Sequence, residues 1–176
     1  MKTLVIIDGK SVFYRGYFAM GNLSMSDGTP TSGVYGFATI ATEIVKKLKP
    51  DQVVVAWDKA KTSIAKRLAI YPEYKAGRTK PPEDFFAQIP LLKELIMALG
   101  WDFLEADEYE ADDIIGTLAR QADEAGDYMT YIVSSDLDML QIVDENTRMY
   151  RLIKGFSNIE EIDVVAIEEK YGISKN

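Results

Sequence analysis

Three runs of consecutive apolar, largely β-branched residues divide the chain: Thr3–Asp8 (TLVIID), Gln52–Trp57 (QVVVAW) and Tyr128–Val133 (YMTYIV). Continuous rather than alternating hydrophobicity marks strands covered on both faces. A shorter run, Trp101–Glu105, reads as a further strand. Between the strands the apolar period lengthens to that of a helix. From Ser32 to Leu48, apolar residues recur at Val34, Phe37, Ala41, Ile44, Val45 and Leu48, and Lys46, Lys47 and Lys49 suit a helix C-terminus. Further helices are predicted over Ser11–Met20, Glu83–Leu99 with Gly100 as its C-cap, Glu110–Ala125 closed by Gly126, and Asp163–Tyr171, with a short one over Asp136–Val143. Asn22–Thr31 is polar and carries Gly and Pro, so it reads as a loop. Thr147–Leu152 and Phe156–Ile159 are expected to pair as strands around Lys154-Gly155.

Strands alternating with helices predict an α/β fold: a mostly parallel central sheet with helices on both faces. At 176 residues the chain reads as one domain over 1–176, and 47% hydrophobic residues suffice for a full core. It contains no internal repeat and no apolar run near the ~20 residues that span a bilayer. The apolar stretch after Met1 is too short for a signal peptide, so a cytoplasmic location is the default expectation. Nothing in the sequence marks an interface, and a monomer is expected.

Acidic residues stand where these elements meet. Asp8, Asp58 and Asp136 fall at or just past strand ends, Asp138 two residues on, and Glu110, Asp112 and Asp113 open a helix. Ligand sites in such sheets form at the carboxyl ends of the strands, so all four blocks can meet on one rim. Each acid alone has a plainer reading as a helix cap or turn residue. Carboxylates at four separate strand ends are hard to explain by capping alone, because they repel unless a cation sits between them. Oxygen-only ligands favour a hard ion, Mg²⁺ or Mn²⁺. Glu110 and Asp113 lie three apart and share a helix face, so Asp112 is expected to point elsewhere, as an outer ligand or a supporting residue. With no histidine and no cysteine, an imidazole acid or base, a Ser-His-Asp triad, a histidine–zinc site and thiol chemistry are all excluded. Hydrolysis here would need a metal-activated water.

The net charge of −8 argues against a nucleic-acid partner until its distribution is considered. With the clustered acids set aside, the remaining acidic residues nearly balance the 20 basic ones. A basic segment spans 59–82, with Lys59, Lys61, Lys66, Arg67, Lys75, Arg78 and Lys80 against the single acid Glu73. Its apolar content is too thin for a core helix, and it is expected to project until a partner binds. Within it, Tyr74, Lys75 and Arg78 supply a stacking surface and two phosphate-pairing cations. Arg15 is a further phosphate candidate, with a surface salt bridge as the alternative.

The words VIIDGKSVFYRGYFA, DGTPTSGVYGF, VVVAWDK, YPEYKAGR, YEADDIIGTLA, SSDLDMLQIV and EEKYGI occur in this order over nearly the whole chain. Together they resemble the N-terminal, resolvase-like part of the 5′→3′ exonuclease domain of bacterial DNA polymerase I, within the flap-endonuclease and PIN-like nuclease group. The resemblance implies a two-metal nuclease that cuts DNA at a junction of single and double strand, as a flap endonuclease or exonuclease. It implies that Asp8, Asp58, Glu110, Asp112, Asp113, Asp136 and Asp138 hold two Mg²⁺ or Mn²⁺ ions directly or through water. It places Lys75 and Arg78 at the base of a helical arch, on the scissile phosphate, with Arg67 as a basic arch residue and Tyr74 stacked on a nucleotide. A polymerase domain is an implied partner in a longer protein. The family continues into a helix-hairpin-helix region that grips duplex DNA, and this chain stops at Asn176, before it. One metal site and duplex affinity are therefore expected to be impaired. Lys10 follows Asp-Gly where Ser is frequent, and Leu137 stands where Lys is common, so phosphate contacts are expected to be retuned. The alternatives are a PIN-like ribonuclease, a DNA-binding fragment without catalysis, and a haloacid-dehalogenase-like phosphatase, which Lys10 disfavours because an aspartate is needed there.

Overall fold

The computed structural model describes residues 1–60, 62–154 and 158–173. Its elements are β1 (Lys2–Asp8), α1 (Gly9–Ala19), α2 (Ser32–Leu48), β2 (Gln52–Trp57), α3 (Ala65–Ile70), α4 (Glu83–Ala87), α5 (Ile89–Ala98), β3 (Asp102–Glu105), α6 (Ala111–Ala125), β4 (Tyr128–Ser134), β5 (Thr147–Lys154), β6 (Asn158–Ile162) and α7 (Val164–Tyr171), with a 3₁₀ helix over Leu137–Ile142. The strands form one sheet in the order β3-β2-β1-β4-β5-β6. All neighbours are parallel except β5 and β6. The expected hairpin therefore exists with a longer second strand, and the predicted Phe156 and Ser157 lie outside the described residues.

The sheet is covered on both faces. One core joins Val5, Ile7 and Val55 of the strands to Phe13 of α1, Phe37, Ile40 and Ile44 of α2, and Leu92 and Ile96 of α5. The other joins Leu4, Ile6, Val54 and Ile132 to Ala111, Ile115, Ala119 and Ala122 of α6 and to Met139 of the 3₁₀ helix. Strand residues alternate between these two cores, and for that reason the strands are apolar throughout. Among the described residues no helix is long and apolar enough to cross a membrane.

Two expectations about helices need correction. The helix predicted over Glu83–Leu99 is broken at Gln88 into α4 and α5. Pro90 stands in the first turn of α5 and has no N–H to give to the Phe86 carbonyl, so the first ladder ends there. The Gln88 side chain fills the break: its Nε2 donates to the Asp84 carbonyl (3.1 Å) and its Oε1 accepts from the Gly33 N–H (2.8 Å). The short helix expected over Asp136–Val143 is the tighter 3₁₀ form.

Helices α1 and α2 cross where glycine meets glycine. A Cβ on Gly16 would stand 2.7 Å from the Gly36 carbonyl carbon, and one on Gly36 would stand 2.3 Å from the Gly16 Cα. Backbone, not a movable side chain, fills that space. Gly16→Ala is therefore expected to destabilise by upwards of about 2 kcal/mol, a fall in Tm of roughly 5 °C or more for a chain of this size. A calorimetric Tm within a degree of the parent would show that the crossing has slack.

Candidate metal and phosphate site

The parallel order brings the carboxyl ends of β1, β2 and β4 together. Asp8 ends β1, Asp58 follows β2, and Asp136 follows β4. Asp8 is nearly buried (7% exposed). It caps α1 by accepting from the Ser11 N–H (3.1 Å) and also accepts from the Ser134 hydroxyl (2.7 Å). Asp58 accepts from the Ala111 N–H at the start of α6 (2.8 Å) and faces the Lys10 ammonium at 3.5 Å. Asp136 caps the 3₁₀ helix through the Asp138 N–H (3.0 Å). Each acid thus serves as a cap, and the caps converge.

Asp8, Asp58, Asp112 and Asp136 line one cleft of about 860 Å³. Lys10, Lys75, Arg78, Lys80 and Arg151 line the same cleft from the other elements. The acids are close enough to feel one another. Burial, and then the charges of Asp58 and Asp136, push the Asp8 carboxyl above the usual range despite its two hydrogen bonds. Burial, followed by Asp8, Asp136, Asp58 and Glu110, pushes Asp112 up to about 6. Among the described residues, however, no three carboxylates gather closely enough to chelate one ion as the side chains stand. The donor set suits a hard cation in chemistry and in mutual repulsion, while Asp8, Asp58 and Asp136 are turned to local partners.

The roles expected at the start of α6 are exchanged. Asp113 does not face the cleft: it accepts from the Glu110 N–H (2.9 Å) and holds the Arg67 guanidinium in a two-pronged pair (2.7 and 3.0 Å). That pairing lowers the Asp113 pKa and raises that of Arg67. Asp112 is the residue in the cleft. Adjacent helical positions diverge by about 100°, so once Asp113 closes the cap, Asp112 must face the rim. Glu110, only 1% exposed, also accepts from the Tyr74 hydroxyl (2.9 Å), lies 3.2 Å from Arg67 Nε, and is bonded to the Lys75 ammonium. The Tyr74 hydroxyl is shifted up by its burial and by this bond. Asp138 is exposed in the 3₁₀ helix and is not a wall of the cleft.

The basic segment 59–82, of which Lys61 lies outside the described residues, does not simply project. Its short helix α3 buries nothing of its own, but Arg67, Tyr74 and Lys75 fold back onto Glu110 and Asp113. Phe85, packed against Phe13 (4.9 Å between ring centroids) and Tyr14 (4.8 Å), anchors the segment's return. Lys75 has a left-handed backbone (φ 59°), which costs a side-chain-bearing residue on the order of 1 kcal/mol. Its ion pair and the Arg78 N–H to Lys75 carbonyl bond (3.1 Å) hold it there. Arg15 forms no ion pair among the described residues. It donates instead to the Ser135 hydroxyl (3.1 Å) and the Leu152 carbonyl (2.6 Å).

The family profile described as "5'-3' exonuclease, N-terminal resolvase-like domain" matches residues 3–172. The chain belongs to this 5′-3′ exonuclease family. It is 43% identical to DNA polymerase I of Chloroflexus aurantiacus over 172 residues, 96% of this chain and 18% of that protein. It is 40% identical to the 5′-3′ exonuclease of Aquifex aeolicus over 174 residues, 98% of this chain and 57% of that one. The chain thus spans about a fifth of the polymerases it matches and just over half of the exonuclease. Its fold is that of the bacteriophage T5 D15 flap endonuclease, solved as a pseudo-enzyme-product complex with DNA and metal ions (TM-score 0.72, 19% identity, 99% of this chain and 62% of that one). Arg151 is the cleft residue that the sequence does not signal, because it stands outside the exonuclease words and reaches the cleft only through the β4–β5 pairing, whereas Lys80 belongs to the basic segment.

Proposed function

We propose that this chain is the catalytic part of a 5′ nuclease that hydrolyses DNA phosphodiester bonds at a junction of single and double strand, with Mg²⁺ or Mn²⁺. The observation that carries it is one cleft lined both by four aspartates and by Lys75 and Arg78. Its membership of the 5′-3′ exonuclease family supports the same reading, as do the DNA and metal ions of the T5 flap-endonuclease complex.

Asp8, Asp58, Asp112 and Asp136 would hold the ions directly, with Glu110 and Asp138 acting through water. Bound ions of this kind lower the pKa of a coordinated water and offset charge on the phosphate. The remaining steps belong to the chain. Lys75 and Arg78 place fixed positive charge where the phosphate oxygens gain charge. Arg67, held by Asp113, sets the base of the arch and keeps Glu110 from facing Asp112 uncompensated. Tyr74 offers its ring to a base once its hydroxyl leaves Glu110. Lys10 offsets Asp58 and sets how tightly that carboxylate is available. In a polymerase I setting the activity would serve primer removal and repair.

The test is a 5′-labelled DNA flap beside a matched RNA hairpin, with Mg²⁺ or Mn²⁺. Cutting of the flap near its junction is expected. Cutting of RNA alone would place the chain with the PIN-like ribonucleases. Flap binding with no cleavage at high Mn²⁺ would leave a DNA-binding fragment.

A further inference from the structure

Arg151 is a charged residue that the nuclease reading does not use. It sits on β5, in register with Ser134 of β4 on one side and Glu160 of β6 on the other, and it lines the cleft. Its Nη1 lies 3.3 Å from Glu160, a carboxylate shared with Lys170 at 3.3 Å. Its buried Nε has no hydrogen-bond partner, the one such side-chain nitrogen or oxygen among the described residues. Arg15, from α1, stands beside it with no carboxylate partner among the described residues. Burial and the charge of Arg151 both lower the Arg15 pKa. Arg15 bonds Ser135, whose hydroxyl oxygen accepts from it, so the Ser135 O–H is free to donate elsewhere. Ser135 is also a wall of the cleft, next to Asp136.

Arg151 shares Glu160 with Lys170, and Arg15 beside it has no carboxylate among the described residues, so the two guanidinium groups form a site short of negative charge. The Arg151 guanidinium is thus incompletely partnered, and an anion with several acceptor oxygens would offset the unbalanced positive charge. We propose that Arg151, with Arg15 and Ser135, forms a second phosphate subsite at the edge of the cleft, taking a backbone phosphate of the DNA strand other than the one being cut. The inference rests on the nuclease reading, because DNA is the phosphate source it selects. Continuity with the acid-lined cleft favours a strand over free phosphate.

The experiment measures anisotropy of a labelled DNA flap in Ca²⁺ across a salt series, with the parent chain, Arg151→Met and Arg151→Lys. Arg151→Met should weaken binding roughly 3–10-fold and flatten the slope of log K against log salt by about 0.7–0.9, the loss of one phosphate contact. Arg151→Lys should restore the slope, because it keeps the charge, and only part of the affinity, because it lacks the fork. A structural role through Glu160 alone would move Tm and leave the slope unchanged. Unchanged affinity and slope, with the parent still binding, overturns the subsite and leaves the nuclease reading standing. Failure of the parent to bind the flap overturns both. If millimolar inorganic phosphate protects the parent but not Arg151→Met from heat, and the DNA slope is unchanged, the site belongs to free phosphate and the DNA assignment is overturned.

Discussion

Asp112→Asn is expected to lower single-turnover cleavage by roughly 10³-fold or more, the upper end of what removing one preorganised electrostatic group costs, and to make the metal-free protein more stable. The two effects share a cause. Asp112 stands among Asp8, Asp58 and Asp136, and its pKa is raised to about 6. An unfolded aspartate titrates near 3.9. Between these values the folded chain binds more protons than the unfolded one, so stability falls as pH rises through that window. Above about 6 the penalty is complete, and below about 4 it is absent. The full difference corresponds to at most about 3 kcal/mol, and solvent screening at this half-buried rim leaves roughly 1–2 kcal/mol. Asparagine removes the charge, so Tm should rise at pH 7.5 and stay unchanged at pH 4. Calorimetry at both pH values, beside rapid-quench cleavage, checks the pair of effects. Parent-like cleavage would remove Asp112 from the metal site, and a lower Tm at pH 7.5 would contradict the repulsion argument.

Lys75→Ala is expected to reduce the single-turnover rate by roughly 10²–10³-fold while costing the fold only about 1–2 kcal/mol. Losing one partner of a buried pair usually costs more, because the other charge is left uncompensated. Here Glu110 keeps the Tyr74 hydroxyl and the Arg67 guanidinium, so it is not stranded. The comparison is between the rate at saturating flap DNA and the urea midpoint. An unchanged rate would remove Lys75 from the chemistry and leave it as a tether for Glu110.

The sheet was legible because its strands are apolar on both faces, a pattern few other structures produce. The bounds Ser32–Leu48 and Gln52–Trp57 agree with the structure to the residue, since helical apolar spacing ends at Leu48 among lysines and a continuous apolar run follows almost at once. The break at Gln88 was missed because a proline can be accommodated at the start of a helix as well as interrupt one, and only the Gln88 side chain decides which. At the site, the rim of Asp8, Asp58 and Asp136 followed from strand ends alone. The division between Asp112 and Asp113 did not. Counting Glu110 and Asp113 on one face is correct, but that face is turned to Arg67 and Tyr74, which arrive from a segment far away in sequence. The same reason hides Arg151: its place in the cleft is set by β5 lying next to β4. The basic segment was recognised by composition, yet composition carries no information on whether such a segment stands clear or folds onto neighbouring acids.

The most direct test of a metal-dependent nuclease built on this rim is cleavage of a 5′-labelled DNA flap by the parent and by Asp136→Asn, in Mg²⁺, in Mn²⁺ and in EDTA. Asp136 is exposed, and asparagine keeps an oxygen for the Asp138 N–H, so the variant should fold as the parent does. The account predicts cleavage by the parent in either metal, none in EDTA, and none by Asp136→Asn in any condition. Cleavage that persists in EDTA, or survives in Asp136→Asn at the parent's rate, would contradict it.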